Sequence, residues 1–187
     1  RWGGFGPVES GVAFDPAVSD TNSNFTRRLL MSRWGVPPEK LFVLYNGLDQ
    51  ERFQALNLAP ASQRDPFGLL YIGHPDKGLG RAVEILRELR KQDDRYHLDV
   101  YGGYALWGDM DQTIEPEDGV RDMGMVPNHE LLEALSRCRY ALFIQSYEEP
   151  FGISAQEARR AGAVVLYTPV GAFPELFRHG YDGLMVD

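Results

Sequence analysis

The sequence predicts an α/β fold, a doubly wound parallel sheet with helices on both faces. Three observations predict it. Short apolar runs suited to buried strands recur from residue 69 onward. Segments with helical spacing separate most of these runs, which implies right-handed strand–helix–strand crossovers. Gly and short polar clusters punctuate the ends of the runs, where open α/β sheets place their ligands.

The elements follow in chain order. Residues 1–15 are Gly-rich and aromatic without a period. Ser23 or Asn24 is suited to cap a helix through Met31, ended by Pro37-Pro38. Leu41 to Tyr45 reads as a short strand stopped by Asn46-Gly47. Residues 49–66 read as a polar connection. Leu69 to Ile72 is a compact strand. Leu79 to Lys91 is a helix, with Leu79, Val83, Leu86 and Leu89 near 3.6-residue spacing. Tyr96 to Tyr101 is a strand closed by Gly102-Gly103, and residues 105–118 form an irregular loop. Val120 to Val126 holds a short strand. Asn128 caps a helix with Leu131, Leu132, Leu135 and Cys138 on one face. Tyr140 to Ile144 is the most apolar strand, Gly152 to Ala161 a helix, and Ala163 to Tyr167 a strand. Ala172 to His179 is helical and Leu184 to Val186 a final strand.

Bulk properties narrow the function classes. The chain has 187 residues, 43% hydrophobic and 25% charged, ordinary for a water-soluble core. Its formal net charge of −8 argues against nucleic acid as a partner. A local phosphate site needs only a few cations and backbone N–H groups, so it stays open. The single cysteine, Cys138, forbids an internal disulfide framework and fits a cytoplasmic setting. It is expected to be a small core residue. No leader and no transmembrane run is evident. The start at Arg1 and the end just after a strand-like run make both ends read as cuts in a longer protein.

Four segments after strand ends carry the chemistry: Gly73-His-Pro-Asp-Lys-Gly78, Gly102-Gly103, Ser146-Tyr-Glu-Glu-Pro-Phe-Gly152 and Pro169-Val-Gly-Ala-Phe-Pro-Glu175. Lys77 puts a positive charge at a helix start, which suits a phosphate. Glu149 lies in the loop after the most apolar strand. Glu157 lies about a turn and a half beyond Gly152 on the next helix. A carboxylate can accept two hydrogen bonds from a sugar diol. With the free N–H groups near Gly152, Ile153 and Ser154 between them, the layout is acid, anion site, acid. A sugar, a diphosphate and a ribose match it in that order. A solvated surface is the ordinary fate of two acids at arbitrary spacing; the Phe-Gly and Gly motifs around this pair argue otherwise. Glu175 more often caps a helix than touches a ligand. Trp107 and Met110 sit in a loop that could cover one.

These residues bring out a family resemblance. The stretch Glu149-Pro-Phe-Gly-Ile-Ser-Ala-Gln-Glu157 resembles the E-x7-E signature of the group 1 glycosyltransferases, enzymes of GT-B architecture built from two facing Rossmann-like domains. Ala161-Gly-Ala-Val-Val165, Gly171-Ala-Phe-Pro-Glu175 and His179-Gly-Tyr-Asp-Gly-Leu184 resemble the segments that follow. Val43-Leu-Tyr-Asn-Gly-Leu-Asp49 resembles the crossing between the two domains, and Val18-Ser-Asp20 with Asn22-Ser23 the end of the acceptor domain. The likeness runs from about residue 16 to 187.

The resemblance implies a Rossmann-like doubly wound half of a GT-B enzyme. Residues 1–34 would be the tail of the N-terminal acceptor domain and residues 35–187 the C-terminal nucleotide-sugar-binding domain. Glu149 and Lys77 would be catalytic. Glu149 would contact the donor hexose, Glu157 the ribose, and Lys77 the diphosphate. Gly73, His74, Phe151, Gly152, Ile153 and Ser154 would complete the phosphate and sugar contacts, and backbone at Met125 and Val126 would hold the base. The donor is a nucleoside-diphosphate sugar, the acceptor a glycan, lipid or other hydroxyl compound, and transfer retains the anomeric configuration. No cofactor and no metal is implied. Any peripheral membrane association would be decided by the acceptor half.

One departure stands out: the family usually carries Arg where this chain has His74, so a second cation at the diphosphate is lost. Whether Arg81, a turn into the next helix, replaces it is open at the level of sequence. A non-catalytic binding or scaffold module is the alternative that His74 favours. A sugar-nucleotide epimerase or hydrolase of similar fold is another. A nicotinamide-dependent dehydrogenase is disfavoured, since no G-x-G-x-x-G follows a strand.

Overall fold

The computed structural model describes residues 18–56 and 58–186. The Gly-rich residues 1–15 and the first part of the expected 1–34 segment lie outside the described residues, as does Asp187.

The chain starts with strand β1 (Ser19–Thr21), helix α1 (Asn24–Trp34) and strand β2 (Leu41–Val43). β1 and β2 form a separate two-stranded parallel sheet. α1 opens on Ser23, whose hydroxyl accepts from the Thr26 N–H, as the sequence predicts. It closes on left-handed Gly35 rather than at the prolines, with the Gly35 N–H returning to the Leu30 carbonyl.

The stretch read as a polar connection contains a short helix, α2 (Gln50–Ala55), capped by Asp49. Only Phe53 of its six residues is buried, so no apolar repeat announces it. Strand β3 (Asp65–Gly73) begins four residues before its apolar run.

The remaining elements are α3 (Leu79–Arg90), β4 (His97–Gly102), β5 (Val120–Gly124), α4 (Asn128–Arg137), β6 (Cys138–Phe143), α5 (Ile153–Ala161), β7 (Val164–Tyr167), α6 (Phe173–Leu176) and β8 (Leu184–Met185). Three expectations need correction. Cys138 begins β6 instead of ending a helical face. Asn128 is the first residue of α4 and does not cap it; Pro127 precedes the helix. The helix expected over residues 172–179 is a single turn, because Phe177 adopts extended backbone.

β3 to β8 form one parallel sheet in the order β5-β4-β3-β6-β7-β8. This is the 3-2-1-4-5-6 order of doubly wound sheets. The chain winds outward from β3 to one edge and then restarts at β6 beside β3. Opposite directions of winding put the crossover helices on opposite faces. Leu69, Tyr71, Leu98, Val100 and Leu142 meet Leu79, Ala82 and Leu86 of α3 on one face. Leu70, Ala141, Phe143 and Val165 meet Leu132 and Leu135 of α4, Ala155 and Ala158 of α5, and Phe173 on the other. Each fully buried Leu contributes about 1.5–3 kcal/mol, so the two faces hold the sheet rigid beneath its loops. The switch in winding lies between β3 and β6. The loops leaving the carboxyl ends of these two strands face each other there.

Candidate functional site

The loop after β3 turns through one 3₁₀ turn, Pro75–Lys77. The loop after β6 carries residues 144–152. They bring Lys77 and Glu149 together: Lys77 Nζ lies 3.4 Å from Glu149 Oε2. Gln145, 6% exposed at the end of β6, donates from Nε2 to the same oxygen at 3.1 Å. The Gln145 carbonyl in turn accepts from the Thr168 hydroxyl at 2.6 Å. Glu149 is thus held by a cation and by an amide anchored in the core. Gln145 was missed in the sequence, although a polar residue closing the most apolar run was a signal.

A cavity of about 640 Å³ opens at this pair, lined by Asp76, Lys77, Trp107, Tyr147, Glu148, Glu149 and Pro150. Trp107 forms one wall, so the loop expected to cover a ligand borders the cavity; Met110 of the same loop is exposed.

His74 follows Gly73 in the loop after β3. It is 2% exposed, its ring stacked on Trp107 with centroids 3.6 Å apart and planes 11° apart. Tyr104 packs edge-on against the same ring. Nδ1 accepts the Asp76 N–H at 3.2 Å, which caps the 3₁₀ turn before Lys77. The His74 side chain thus packs on Trp107 and caps the turn, while its Nε2 is buried without a partner among the described residues. Below it, the Tyr71 hydroxyl donates to the His74 carbonyl at 2.8 Å. Burial, followed by the nearby Asp76 charge, raises the Tyr71 hydroxyl far above the ordinary phenol range.

Gly152 starts α5 in left-handed backbone, φ 76°, and a Cβ there would lie 2.4 Å from the Phe173 ring. Only Gly fits this entry. The first amides of α5, at Ile153 and Ser154, have no carbonyl one turn back to bond within the helix. Phe151 points inward, 4% exposed, while Ile153 is exposed. Gly73 ends β3, and its carbonyl accepts from the Gly103 N–H at 3.2 Å, tying the first two of the four loops together.

Glu157 lies on the inner side of α5, 9% exposed. Its Oε1 accepts from Asn128 Nδ2 at 3.3 Å, and Asn128 Oδ1 is buried without a partner. That pair stands at the start of α4, directly after Met125, which is exposed, and Val126, which is half-buried. The sequence-predicted residues thus fall into two groups on one edge of the sheet. Lys77 and Glu149 share the cavity, whereas Glu157 meets Asn128, two residues beyond Val126. Asn128 was misread as a cap because its partner is 29 residues away. Among the described residues, no group of three His, Cys, Asp or Glu side chains is placed to hold a metal ion. Among them too, no helix is long and apolar enough to cross a membrane.

Comparison with known proteins bears on the family and the fold. Residues 60–187 match the family model described as "Glycosyl transferases group 1". A GDP-mannose:cellobiosyl-diphosphopolyprenol alpha-mannosyltransferase of Xanthomonas campestris is 30% identical over 159 residues, covering 81% of this chain and 40% of its own length. A D-inositol 3-phosphate glycosyltransferase of Geodermatophilus obscurus is 27% identical over 179 residues, covering 86% of this chain and 40% of its own. The chain thus spans less than half the length of these relatives. Among solved structures, Anabaena HepE in complex with UDP-glucose superposes with a TM-score of 0.72 at 20% identity, over 90% of this chain and 49% of that one. That likeness establishes a shared GT-B-type fold.

Proposed function

The chain belongs to the group 1 glycosyl transferases, and from that premise we propose that it is the nucleotide-sugar-binding part of a retaining hexosyltransferase. The whole enzyme takes a hexose from a nucleoside-diphosphate sugar and passes it to a hydroxyl on a glycan or lipid. Glu149 binds hydroxyls of the donor sugar in the cavity. Lys77 and the free amides at the start of α5 meet the diphosphate. As the glycosidic bond to phosphate breaks, negative charge grows on the leaving diphosphate, and a fixed cation with oriented N–H groups stabilises it. Glu157 holds the ribose, with the base against the backbone of Met125 and Val126. No cofactor is needed for such a displacement. The reading places the enzyme in the cytoplasm, with any membrane attachment made by the acceptor half.

The observation that carries the reading is the convergence of Lys77 and Glu149, 3.4 Å apart, at the switch point between β3 and β6. Ligands of doubly wound sheets bind at that point. Relatives that use GDP-mannose, and a structural neighbour holding UDP-glucose, support a sugar nucleotide as that ligand.

Calorimetric titration of the chain with UDP, GDP and ADP tests the proposal. Saturable binding of one nucleotide is expected, weakened about tenfold or more in Glu157→Ala, a loss of about 1.4 kcal/mol. Binding of none of the three overturns it.

A second reading, a module that binds without turnover, is favoured by the enclosed His74, which leaves Lys77 as the cation at the cavity. Assay of the full-length protein separates the two: sugar transfer supports the first reading. Nucleotide binding without sugar transfer supports the second reading.

A further inference from the structure

The loop that carries Glu149 is gripped from behind. Glu149 turns its side chain toward Lys77 and Gln145. The residues on either side of it turn toward α1 instead. The Ser23 hydroxyl donates to the Pro150 carbonyl at 2.5 Å, and Thr26 Oγ1 lies 3.4 Å from the same oxygen. Glu148 meets Arg33 at 3.6 Å on the surface, a contact that contributes little.

The N-terminus of α1 is itself fixed by Glu175. Its carboxylate accepts from the Asn24 N–H at 3.1 Å and from the Phe25 N–H at 3.0 Å. These are the first two amides of the helix, which have no intrahelical acceptor, and a carboxylate there also meets the positive end of the helix dipole. The segment holding Glu175 also touches the loop directly. The Ala172 N–H donates to the Glu149 carbonyl at 2.8 Å. Residues 172–175 therefore hold the loop at Glu149 and the helix at Asn24, while the helix holds the loop at Pro150.

We propose that Glu175 is a positioning residue for Glu149, acting through the N-terminus of α1, Ser23 and the Pro150 carbonyl. The proposal rests on the reading that Glu149 binds the donor sugar. In this role Glu175 acts on the chain and not on the ligand. It fixes the piece of chain that fixes the loop, so movement of the β1–α1 segment reaches the sugar-binding carboxylate. Releasing the clamp is therefore expected to blunt recognition of the sugar and to leave recognition of the nucleotide alone.

The test compares the 187-residue chain with Glu175→Gln and Ser23→Ala. Affinities are measured for UDP and for UDP-glucose, and amide hydrogen exchange is followed without ligand. Both variants are expected to lose about tenfold of the preference for UDP-glucose over UDP while UDP affinity stays within about twofold. The Ala172 amide is expected to exchange at least about tenfold faster, with Val100 and Leu142 in the central strands unchanged. A preserved sugar preference together with preserved Ala172 protection overturns the proposal. Equal acceleration of loop and strand amides also overturns it, because Glu175 then merely stabilises the fold. If the parent chain binds neither ligand, the donor-site reading fails, and the exchange of Ala172 alone decides whether Glu175 positions the loop.

Discussion

Lys77 Nζ lies 3.4 Å from Glu149 Oε2, although 72 residues separate them in the chain. Their side chains are 34% and 18% exposed, so the pair contributes at most about 1 kcal/mol to folding. A pair so weak as a brace, at the mouth of a cavity, suits the donor-binding role proposed above. Lys77→Ala is therefore expected to lower nucleoside-diphosphate affinity by roughly tenfold or more while barely moving the melting temperature. Parent affinity should also fall with added salt as the cation is screened. Titration and thermal melts of the two proteins check this; a large drop in melting temperature without loss of affinity would make Lys77 structural.

His74 and Trp107 form a stacked wall beside that pair. His74→Ala removes the stacked ring and the acceptor for the Asp76 N–H together. Urea unfolding is expected to show a loss of roughly 1–3 kcal/mol, with red-shifted tryptophan emission as Trp107 meets water. His74→Phe keeps a ring but no acceptor, and should recover part of the stability. Unchanged emission in the alanine variant would mean that Trp107 is held by other contacts.

Much of this was legible in the sequence, and the boundary has a physical cause. Buried strands carry apolar runs, so β3, β6 and β7 announce themselves, and β4 does so by alternation, with Leu98 and Val100 buried on either side of Asp99. Lys77, Glu149 and Gly152 were found because loops at strand ends are short and their polar residues few. Helix α2 was invisible because a single buried side chain, Phe53, makes no period. The roles of Asn128, His74 and Glu175 depend on partners elsewhere. Asn128 looked like a cap, but its amide binds Glu157. His74 looked like a weakened cation, but a tryptophan 33 residues later encloses it. Glu175 was expected to cap a helix more readily than to touch a ligand. It does engage a helix N-terminus, but that of α1, about 150 residues away. Propensity and spacing describe neighbours along the chain, and these contacts are tertiary.

Gly171 tests how tightly the Glu149 loop is packed. Its φ is +60°, and a Cβ would lie 2.3 Å from both N and O of Glu149. No flexible side chain is there to yield, so the backbone of the loop must move. Gly35 provides the control, with φ +65° and nothing within 4 Å of its Cβ position. Gly35→Ala is expected to cost about 1 kcal/mol from backbone strain alone. Gly171→Ala should cost more than twice as much by urea unfolding and should also weaken sugar-nucleotide binding. Equal losses in the two variants would show that the loop accommodates the methyl group.

Cys138 sets an alkaline limit on stability. It is buried at the start of β6, with its thiol donating to the Leu135 carbonyl at 3.5 Å. Burial is the largest cause that pushes the thiol from its ordinary 9.0 up to about 12. In the unfolded chain the thiol ionises near 9.0, whereas in the fold it stays protonated until about 12. Its contribution is therefore fully present below pH 9.0 and is lost as pH rises from there through about 12. The buried Tyr71 hydroxyl, also raised, acts in the same direction at higher pH. Urea unfolding across this range should show stability falling with pH, and Cys138→Ala should show a shallower fall even though its absolute stability is lower. At neutral pH the native thiol should react with alkylating reagents only as fast as the protein opens, since the buried neutral form is a poor nucleophile. Identical alkaline slopes in the two proteins would assign the loss to Tyr71 and other groups instead of Cys138.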